Sequence, residues 1–181
     1  MQILMLVGSL RAGSWTGQVT EAIADLLPAG VTASAYDGLG SLPHYDQDLD
    51  GDEAPESVRD FRAAVASADA LVVATPEYNG SVTGVLKNAI DWASRPRGSA
   101  ALDGKPVAVV SVSPSPRGAQ WAREDLARIL RVAGATPLEP AVGVATVHDV
   151  LEDGAVTDPD VRRSLESLVA ALVATEESHA A

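Results

Sequence analysis

The chain has 181 residues, of which 46% are hydrophobic and none is cysteine, and its formal net charge is −12. This length suits one domain with a sizeable core, so we expect a single domain over residues 1–181, with residues 175–181 frayed. The missing cysteine excludes disulfides, thiolate catalysis and Cys-ligated zinc and favours a cytoplasmic address, while the acidic balance argues against nucleic-acid binding.

No apolar run in the sequence reaches the roughly 18 residues that a membrane-spanning helix requires. The N-terminus lacks a basic segment before its apolar run, so we expect no signal peptide and no membrane partner. We also predict no metal site. The acid-rich stretch "DQDLDGDE" (46–53) lacks the spacing and closing glutamate of a calcium-binding EF-hand loop, and it is typical of a solvated loop.

β-Rich runs alternate with stretches of helical periodicity along the chain. The predicted strands cover residues 2–7, 31–36, 70–75, 106–112 and 135–140. Runs such as "LVVA" and "VAVV" are continuously apolar, which is typical of strands covered on both faces. The apolar spacing between and after the strands predicts five helices, which begin near Trp15, after Pro55, at Val82, ahead of Leu126 and at Asp158.

This alternation predicts an α/β fold, specifically a flavodoxin-like three-layer sandwich whose five-stranded parallel sheet has the order 2-1-3-4-5. In that order the connections after strands 1 and 3 leave on opposite faces and open a crevice at the carboxyl ends of the strands. Three loops of unusual composition follow strands 1, 3 and 4: L1 "GSLRAGS" (8–14), L2 "PEYNGS" (76–81) and L3 "SPSPRG" (113–118). We therefore expect the ligand site where these loops meet.

L1 has the composition of a phosphate cradle. Gly8 and Gly13 let the backbone approach a ligand closely, and the helix that begins near Trp15 turns its free N–H groups toward the loop. The side chains that can bind a phosphate are Ser9, Arg11, Ser14 and Thr16. The alternative is an ordinary helix start that Ser14 caps while Arg11 is solvated. The loop is neither a G-x-G-x-x-G fingerprint nor a Walker loop.

L2 presents one aromatic ring and several backbone amides at the end of a strand. We expect a flat heterocycle to stack near Tyr78 while N–H groups from Glu77 to Ser81 bond its ring oxygens and nitrogens. By itself the segment also fits an ordinary Pro/Asn/Gly turn. Beside a phosphate cradle, however, it indicates a mononucleotide whose far end carries a ring.

The segment "GSLRAGSWTG" together with "TPEYNGSVTGVLKNAIDWASRP" resembles the NADPH-dependent FMN reductase family of flavodoxin-like proteins, which includes quinone, chromate and azo-dye reductases. The segment "LPHYDQD" (42–48) resembles that family's loop after strand 2, and the likeness runs from residue 3 to about residue 130. Three departures from the family pattern are Thr16 in place of a usual Asn, Thr83 in place of a common Pro, and the less glycine-rich L3.

The resemblance implies an FMN site built from L1 and L2. The residues implied to contact the FMN phosphate are Ser9, Arg11, Ser14, Trp15 and Thr16. Those implied to contact the isoalloxazine ring are Pro76, Glu77, Tyr78, Asn79, Gly80 and Ser81. Ser111, at the end of strand 4, corresponds to a further flavin contact.

The implied activity is that of an FMN-dependent NAD(P)H oxidoreductase that reduces a quinone, azo compound, chromate or free flavin, and we assign no catalytic acid or base. One alternative is a flavin-binding electron carrier or redox sensor without steady turnover. A second is a dinucleotide-dependent dehydrogenase that would use Asp37 as its ribose-binding acid.

The resemblance also implies a homodimer or homotetramer. Trp92, at the edge of the apolar stripe of the third helix, is typical of an interface aromatic. We predict Trp121 to be a packing residue, and His44 and His148 have no evident partners in the sequence.

Overall fold

The computed structural model describes residues 1–51 and 53–179. Four strands form the centre and one edge of a parallel sheet: β1 (Gln2–Val7), β2 (Thr32–Ala35), β3 (Ala70–Thr75) and β4 (Pro106–Val112). The helices are α1 (Trp15–Asp25), α2 (Glu56–Ser67), α3 (Gly84–Ala93), α4 (Gln120–Val132), the short α5 (Val147–Val150) and α6 (Pro159–His179). Two 3₁₀ helices, Leu39–Ser41 and Gln47–Leu49, lie in the connection after β2.

The sheet has the strand order β2-β1-β3-β4-β5, which confirms the flavodoxin-like order predicted from the sequence. The predicted fifth strand over residues 135–140 is wrong in its bounds. Two short strands, β5 (Thr136–Pro137) and β6 (Val142–Val144), each pair with β4 at that edge. Pro140 lies between them, and a proline has no N–H with which to continue a ladder.

Apolar side chains on both faces of the sheet create the three layers. One core cluster packs α2, α3 and α4 against alternate residues of the strands. The helices contribute side chains such as Phe61, Leu86 and Leu126 to it. The other joins α1 and α6 to the opposite face, through residues such as Ile23 and Leu165. Because β3 and β4 are buried along their full length, they read as continuous apolar runs in the sequence. In the described part of the chain, no helix combines the length and hydropathy needed to cross a membrane.

A small antiparallel hairpin that the sequence reasoning missed precedes α6. Its strands are β7 (Leu151–Glu152) and β8 (Ala155–Val156). Asp153 and Gly154 join them with φ angles of 48° and 81°, and an Asp-Gly pair is a strong signal for such a turn. Helix α6 runs to His179, and residues 180–181 lie outside the described residues, so the frayed end stays a prediction, as does the single domain.

Trp92 is not the interface aromatic that its position on the third helix suggested. Its side chain is fully buried, its indole N–H donates to the carbonyl of Pro43 at 2.8 Å, and its ring meets that of Tyr45 edge-on at 4.8 Å. The segment after β2 therefore covers this tryptophan. Helical periodicity alone could not show that contact, because Pro43 and Trp92 are distant in sequence.

Candidate functional site

The carboxyl ends of β1, β3 and β4 bring the three loops together. Val7 is paired with Ala74, and Thr75 is paired with Ser111, so L1, L2 and L3 leave neighbouring strands at the same edge of the sheet. The amide of Gly8 donates to the carbonyl of Ala74 at 2.7 Å and joins the start of L1 to β3. The predicted crevice is therefore present.

L1 surrounds the N-terminus of α1 with unused backbone donors. Among the described residues, the amides of residues 9–13 and of Trp15 and Thr16 donate to no other protein atom. Gly13 has a φ of 62°, which turns the chain back toward the helix. Free amides grouped at a helix N-terminus, where the helix dipole is positive, form a binding site for an anion.

The side chains of L1 divide between the two roles considered for this loop. Ser14 caps α1, since its Oγ accepts from the amide of Gly17 at 3.0 Å, as expected of an ordinary helix start. Thr16 is buried, so access to its hydroxyl is limited. Arg11 is exposed, its guanidinium carbon lies 5.9 Å from the ring centre of Trp15, and it has no carboxylate partner in the described part of the chain. It is thus available to a phosphate.

Gly8 is required where L1 crosses the start of α3. A Cβ at this position would lie 3.0 Å from Oγ1 of Thr83 and 3.1 Å from the carbonyl oxygen of Ala74. Oγ1 of Thr83 is itself buried and has no hydrogen-bond partner within the described residues. The floor of the crevice is therefore tightly packed and leaves no room for a side chain.

L2 forms a two-residue turn at the rim of the crevice. The amides of Tyr78 and Ser81 pair with each other's carbonyls at 3.1 and 3.2 Å, across Asn79 and Gly80, whose φ angles are positive. Two of the amides expected to meet a ring are thus engaged within the turn. Within the described residues the amides of Glu77, Asn79 and Gly80 have no protein partner, and the Tyr78 side chain is 57% exposed.

Two side chains of L2 hold the loop against α4. The carboxylate of Glu77 accepts from the amide of Ala122 at 3.0 Å, in the first turn of that helix. The hydroxyl of Ser81 donates to Asp125 at 2.5 Å, and this bond, with a further one from Arg128, holds the pKa of Asp125 below its usual value. L2 therefore turns its backbone toward the crevice while these side chains fix its position.

Ser111 is fully buried, and its hydroxyl donates to the carbonyl of Gly118 at 2.6 Å. Arg123, which the sequence reasoning missed, donates from Nη1 to the Ser111 hydroxyl at 3.2 Å and to the Gly118 carbonyl at 3.3 Å. A Cβ at Gly143 would lie 1.7 Å from that nitrogen, so the guanidinium lies directly over the glycine. The sequence does not indicate that Arg123 and Gly143 are neighbours. They meet because β6 pairs with β4, which places Gly143 opposite Ser111.

Two further aromatic side chains lie beside the crevice. His148 has partners: its ring centre lies 6.3 Å from that of Trp15, and its Nε2 lies 3.5 Å from a carboxylate oxygen of Asp149. Trp121 packs its ring against Gly80 of L2, although its side chain is 53% exposed. Both residues therefore belong to the surroundings of the crevice.

The acid-rich segment 46–53 is held by local contacts. Asp50 pairs with Arg62 at 2.6 Å, and Asp46 accepts from the amide of Asp48 at 2.9 Å. Asp52 lies outside the described residues. In the described part of the chain, no group of three or more His, Asp or Glu side chains is arranged to hold a metal ion.

Two cavities flank the crevice. One, of about 450 Å³, lies beside L1 and is lined by Arg11, Ser14 and Asp37 among others. The other, of about 720 Å³, is a groove between α3 and α4 that begins at Ser81. FMN carries an anionic phosphate at one end and a flat ring with polar edges at the other. The unused amides and free arginine of L1 suit the phosphate, and the unused amides of L2 suit the ring, so the site fits FMN.

Comparison with known proteins agrees with this fit. The family model for NADPH-dependent FMN reductase matches residues 1–149. A 2-hydroxy-1,4-benzoquinone reductase from a Burkholderia species is 44% identical over 126 residues, which cover 70% of this chain and 68% of that protein. An NAD(P)H-dependent FMN reductase from Pseudomonas aeruginosa is 34% identical over 174 residues, with 95% and 93% coverage.

A solved structure is also similar to this chain over nearly its full length. The flavoenzyme NAD(P)H:(acceptor) oxidoreductase FerB from Paracoccus denitrificans has a TM-score of 0.87, with 35% identity and 98% coverage of both chains. The matches to two Pseudomonas putida quinone reductases cover 62% of the length of those proteins. The fold, the fit of the site to FMN and the family match together show that the chain belongs to the NADPH-dependent FMN reductase family.

Proposed function

We propose that quinones are the acceptors of this FMN- and NAD(P)H-dependent oxidoreductase, with azo compounds, chromate and free flavin as further candidates. The observation that carries the dependence on FMN is that an anion site in L1 lies beside unused backbone amides in L2 that suit a flat ring. Relatives named for benzoquinone and quinone reduction support this acceptor class. Bound FMN supplies the redox chemistry, so that NAD(P)H, a proton and a quinone give NAD(P)⁺ and a hydroquinone.

The residues of the chain bind and orient the cofactor. The guanidinium of Arg11 and the amides of L1 would hold the phosphate, and the amides of Glu77, Asn79 and Gly80 would bond the polar edge of the ring. The carboxylate of Glu77 is engaged by the amide of Ala122. We therefore assign no catalytic acid or base, and the loops contribute position and electrostatics.

The alternatives have less support. A dinucleotide-dependent dehydrogenase would use the strand order 3-2-1-4-5-6, whereas this sheet has the order β2-β1-β3-β4-β5. An electron carrier without turnover shares this fold and cofactor. It is less favoured because the relatives that resemble this chain are named as reductases.

We also propose that the chain forms a homodimer through the groove between α3 and α4, with pairing into a tetramer as a further step. The groove has apolar walls that include Ile129 and the 69% exposed Val132. Its rim carries both charge signs, including Lys87 and Asp91. A surface with both an apolar strip and both charge signs can pair with a second copy of itself across a two-fold axis.

The composition supports two further parts of the proposal. A chain without cysteine suits a reducing compartment, which favours the cytoplasm. Its net charge of −12 disfavours a polyanionic partner such as nucleic acid.

The test of the function begins with the absorption spectrum of the purified protein after FMN is added. We expect flavin bands that stay with the protein on a desalting column, and steady NAD(P)H oxidation once a quinone is present. If both substrates use one face of the flavin in turn, initial-rate plots give parallel lines. Retained flavin without steady oxidation would indicate an electron carrier, and NAD(P)⁺-linked activity without flavin would indicate a dehydrogenase.

A further inference from the structure

We propose that Arg117, held against Trp121 at the rim of L2, binds the phosphates of the nicotinamide nucleotide. It would thereby set the affinity of the enzyme for its hydride donor. This inference rests on the proposed function, because it concerns the substrate that delivers hydride to the FMN site.

Arg117 and Trp121 form a pair beside L2. The guanidinium carbon of Arg117 lies 5.1 Å from the ring centre of Trp121. The Trp121 ring in turn lies against L2, since its Cε3 would be 3.4 Å from a Cβ on Gly80. Trp121 and Tyr78 are 53% and 57% exposed. Large aromatic side chains exposed beside a ring-binding loop offer stacking surface to a planar substrate.

In the part of the chain that the structure describes, the charge of Arg117 is not compensated by a neighbouring carboxylate. Within the described residues, Arg117 has no carboxylate within 4 Å, whereas Arg128, on the same helix as Trp121, pairs with Asp125. In a protein of net charge −12, an exposed cation without a counter-ion is a local attraction for an anion. A guanidinium stacked on an indole keeps its N–H edge free, and that edge matches the oxygens of a phosphate.

Hydrogen bonds to neighbouring elements hold L3, the loop that carries Arg117, in place. Arg123 bonds the carbonyl of Gly118 at one end of the loop, and the amide of Thr146 donates to the carbonyl of Ser115 at 3.2 Å. The following residue, Ala119, has a φ of 53°, although it is not a glycine. Left-handed backbone at such a residue persists only where the surroundings enforce it, and it is concentrated at ligand sites. Arg117 is therefore presented on a restrained loop.

The substrates of the proposed reaction indicate which anion Arg117 would bind. The FMN phosphate is already matched by Arg11 and the amides of L1. Quinones carry no phosphate. With a quinone as the acceptor, the remaining anion in the reaction is the diphosphate of NADH and NADPH, to which NADPH adds a 2′-phosphate. A second, separate cation at the rim therefore fits the hydride donor.

The test compares hydride donors on the FMN-loaded enzyme. Replacing Arg117 by alanine (Arg117→Ala) should raise the KM for NADH or NADPH roughly tenfold or more, as expected when a charge-assisted contact to phosphate is lost. The KM for 1-benzyl-1,4-dihydronicotinamide, a donor without phosphates, should stay unchanged, and so should the Kd for FMN. Arg117→Lys should recover part of the affinity. Arg162→Ala, which removes an equal charge from the exposed surface of α6, is the matched control.

The possible outcomes separate this inference from the proposed function. An equal rise for NADH and NADPH assigns Arg117 to the diphosphate, and a larger rise for NADPH assigns it to the 2′-phosphate. The inference is overturned if the KM for NAD(P)H stays unchanged, if the phosphate-free donor is affected equally, or if FMN is lost from the variant. If the wild-type enzyme oxidises neither donor, it is the proposed function that fails.

Discussion

At the scale of single residues, Arg11 is the side chain that we propose binds the FMN phosphate. It is exposed and has no carboxylate partner in the described part of the chain. We predict that Arg11→Ala weakens FMN binding by roughly a factor of 30, since the loss of one charged hydrogen-bond partner lies near the lower end of the range for such contacts. Riboflavin, which has no phosphate, should bind with little change. Titration of both flavins checks this, and an equal loss for the two would remove Arg11 from the phosphate site.

Thr83 provides a second prediction at the same scale. Its Oγ1 is buried without a hydrogen-bond partner among the described residues, and a buried hydroxyl in that state is destabilising. Thr83→Val keeps the shape of the side chain and removes the polar atom. We predict a gain of about 1 kcal/mol in the free energy of unfolding, measured by urea denaturation.

Thr75→Val is the matched comparison, because the hydroxyl of Thr75 donates to the carbonyl of Pro76 at 2.7 Å. This second variant should lose stability. A loss in both variants would show that the Thr83 hydroxyl has a partner in solution.

At the scale of elements, the N-terminus of α4 depends on a residue from L2. Glu77 supplies the carboxylate that accepts from the amide of Ala122 and also lies at the positive end of the helix dipole. Glu77→Ala should lower the free energy of unfolding by about 1 kcal/mol, as the loss of a capping side chain typically does. It should also raise hydrogen exchange at the start of α4, measured by mass spectrometry. Unchanged exchange there would contradict a capping role.

The contact between L2 and α4 should also depend on pH. Hydrogen bonds from Ser81 and Arg128 lower the pKa of Asp125 from its ordinary value of 3.8. The ionised carboxylate therefore stabilises the folded state above the ordinary pKa, and this contribution is lost as the pH falls through the lower, folded-state pKa. Thermal melts between pH 5 and pH 2.5 should show a smaller loss of Tm for Asp125→Asn than for the wild type. Parallel losses would mean that Asp125 contributes nothing to the acid sensitivity.

At the scale of the whole molecule, the groove between α3 and α4 predicts how copies associate. Val132 is its most exposed apolar residue, at 69%, and a charge placed there would have to be buried on association. We expect Val132→Asp to sediment as a monomer at a concentration where the wild type is a dimer. Leu49→Asp changes an exposed apolar residue outside the groove and should leave the dimer intact. A wild type that sediments as a monomer would refute the proposed assembly.

The bounds of the strands could be predicted from the sequence in some cases and not in others. The strands β1, β3 and β4 were predictable to the residue, because each is a largely apolar run that ends at a change in composition. Residues 135–140 were not, since Pro140 has no N–H with which to continue a ladder, and two short strands on either side of it pair with β4 instead. The hairpin around Asp153 was overlooked, although its Asp-Gly signal is present in the sequence.

By itself, the sequence determined the order of strands and helices and, through the composition of L1 and L2, the type of ligand. Local chemistry is sufficient for this, because glycines, a helix start and an arginine act together within a few residues. Only the tertiary structure decided that Trp92 is covered, that Glu77 and Ser81 hold α4, and that Arg123 anchors L3. These contacts join residues between 5 and 49 positions apart, most of them on different elements, and the packing of those elements on one sheet brings their side chains together.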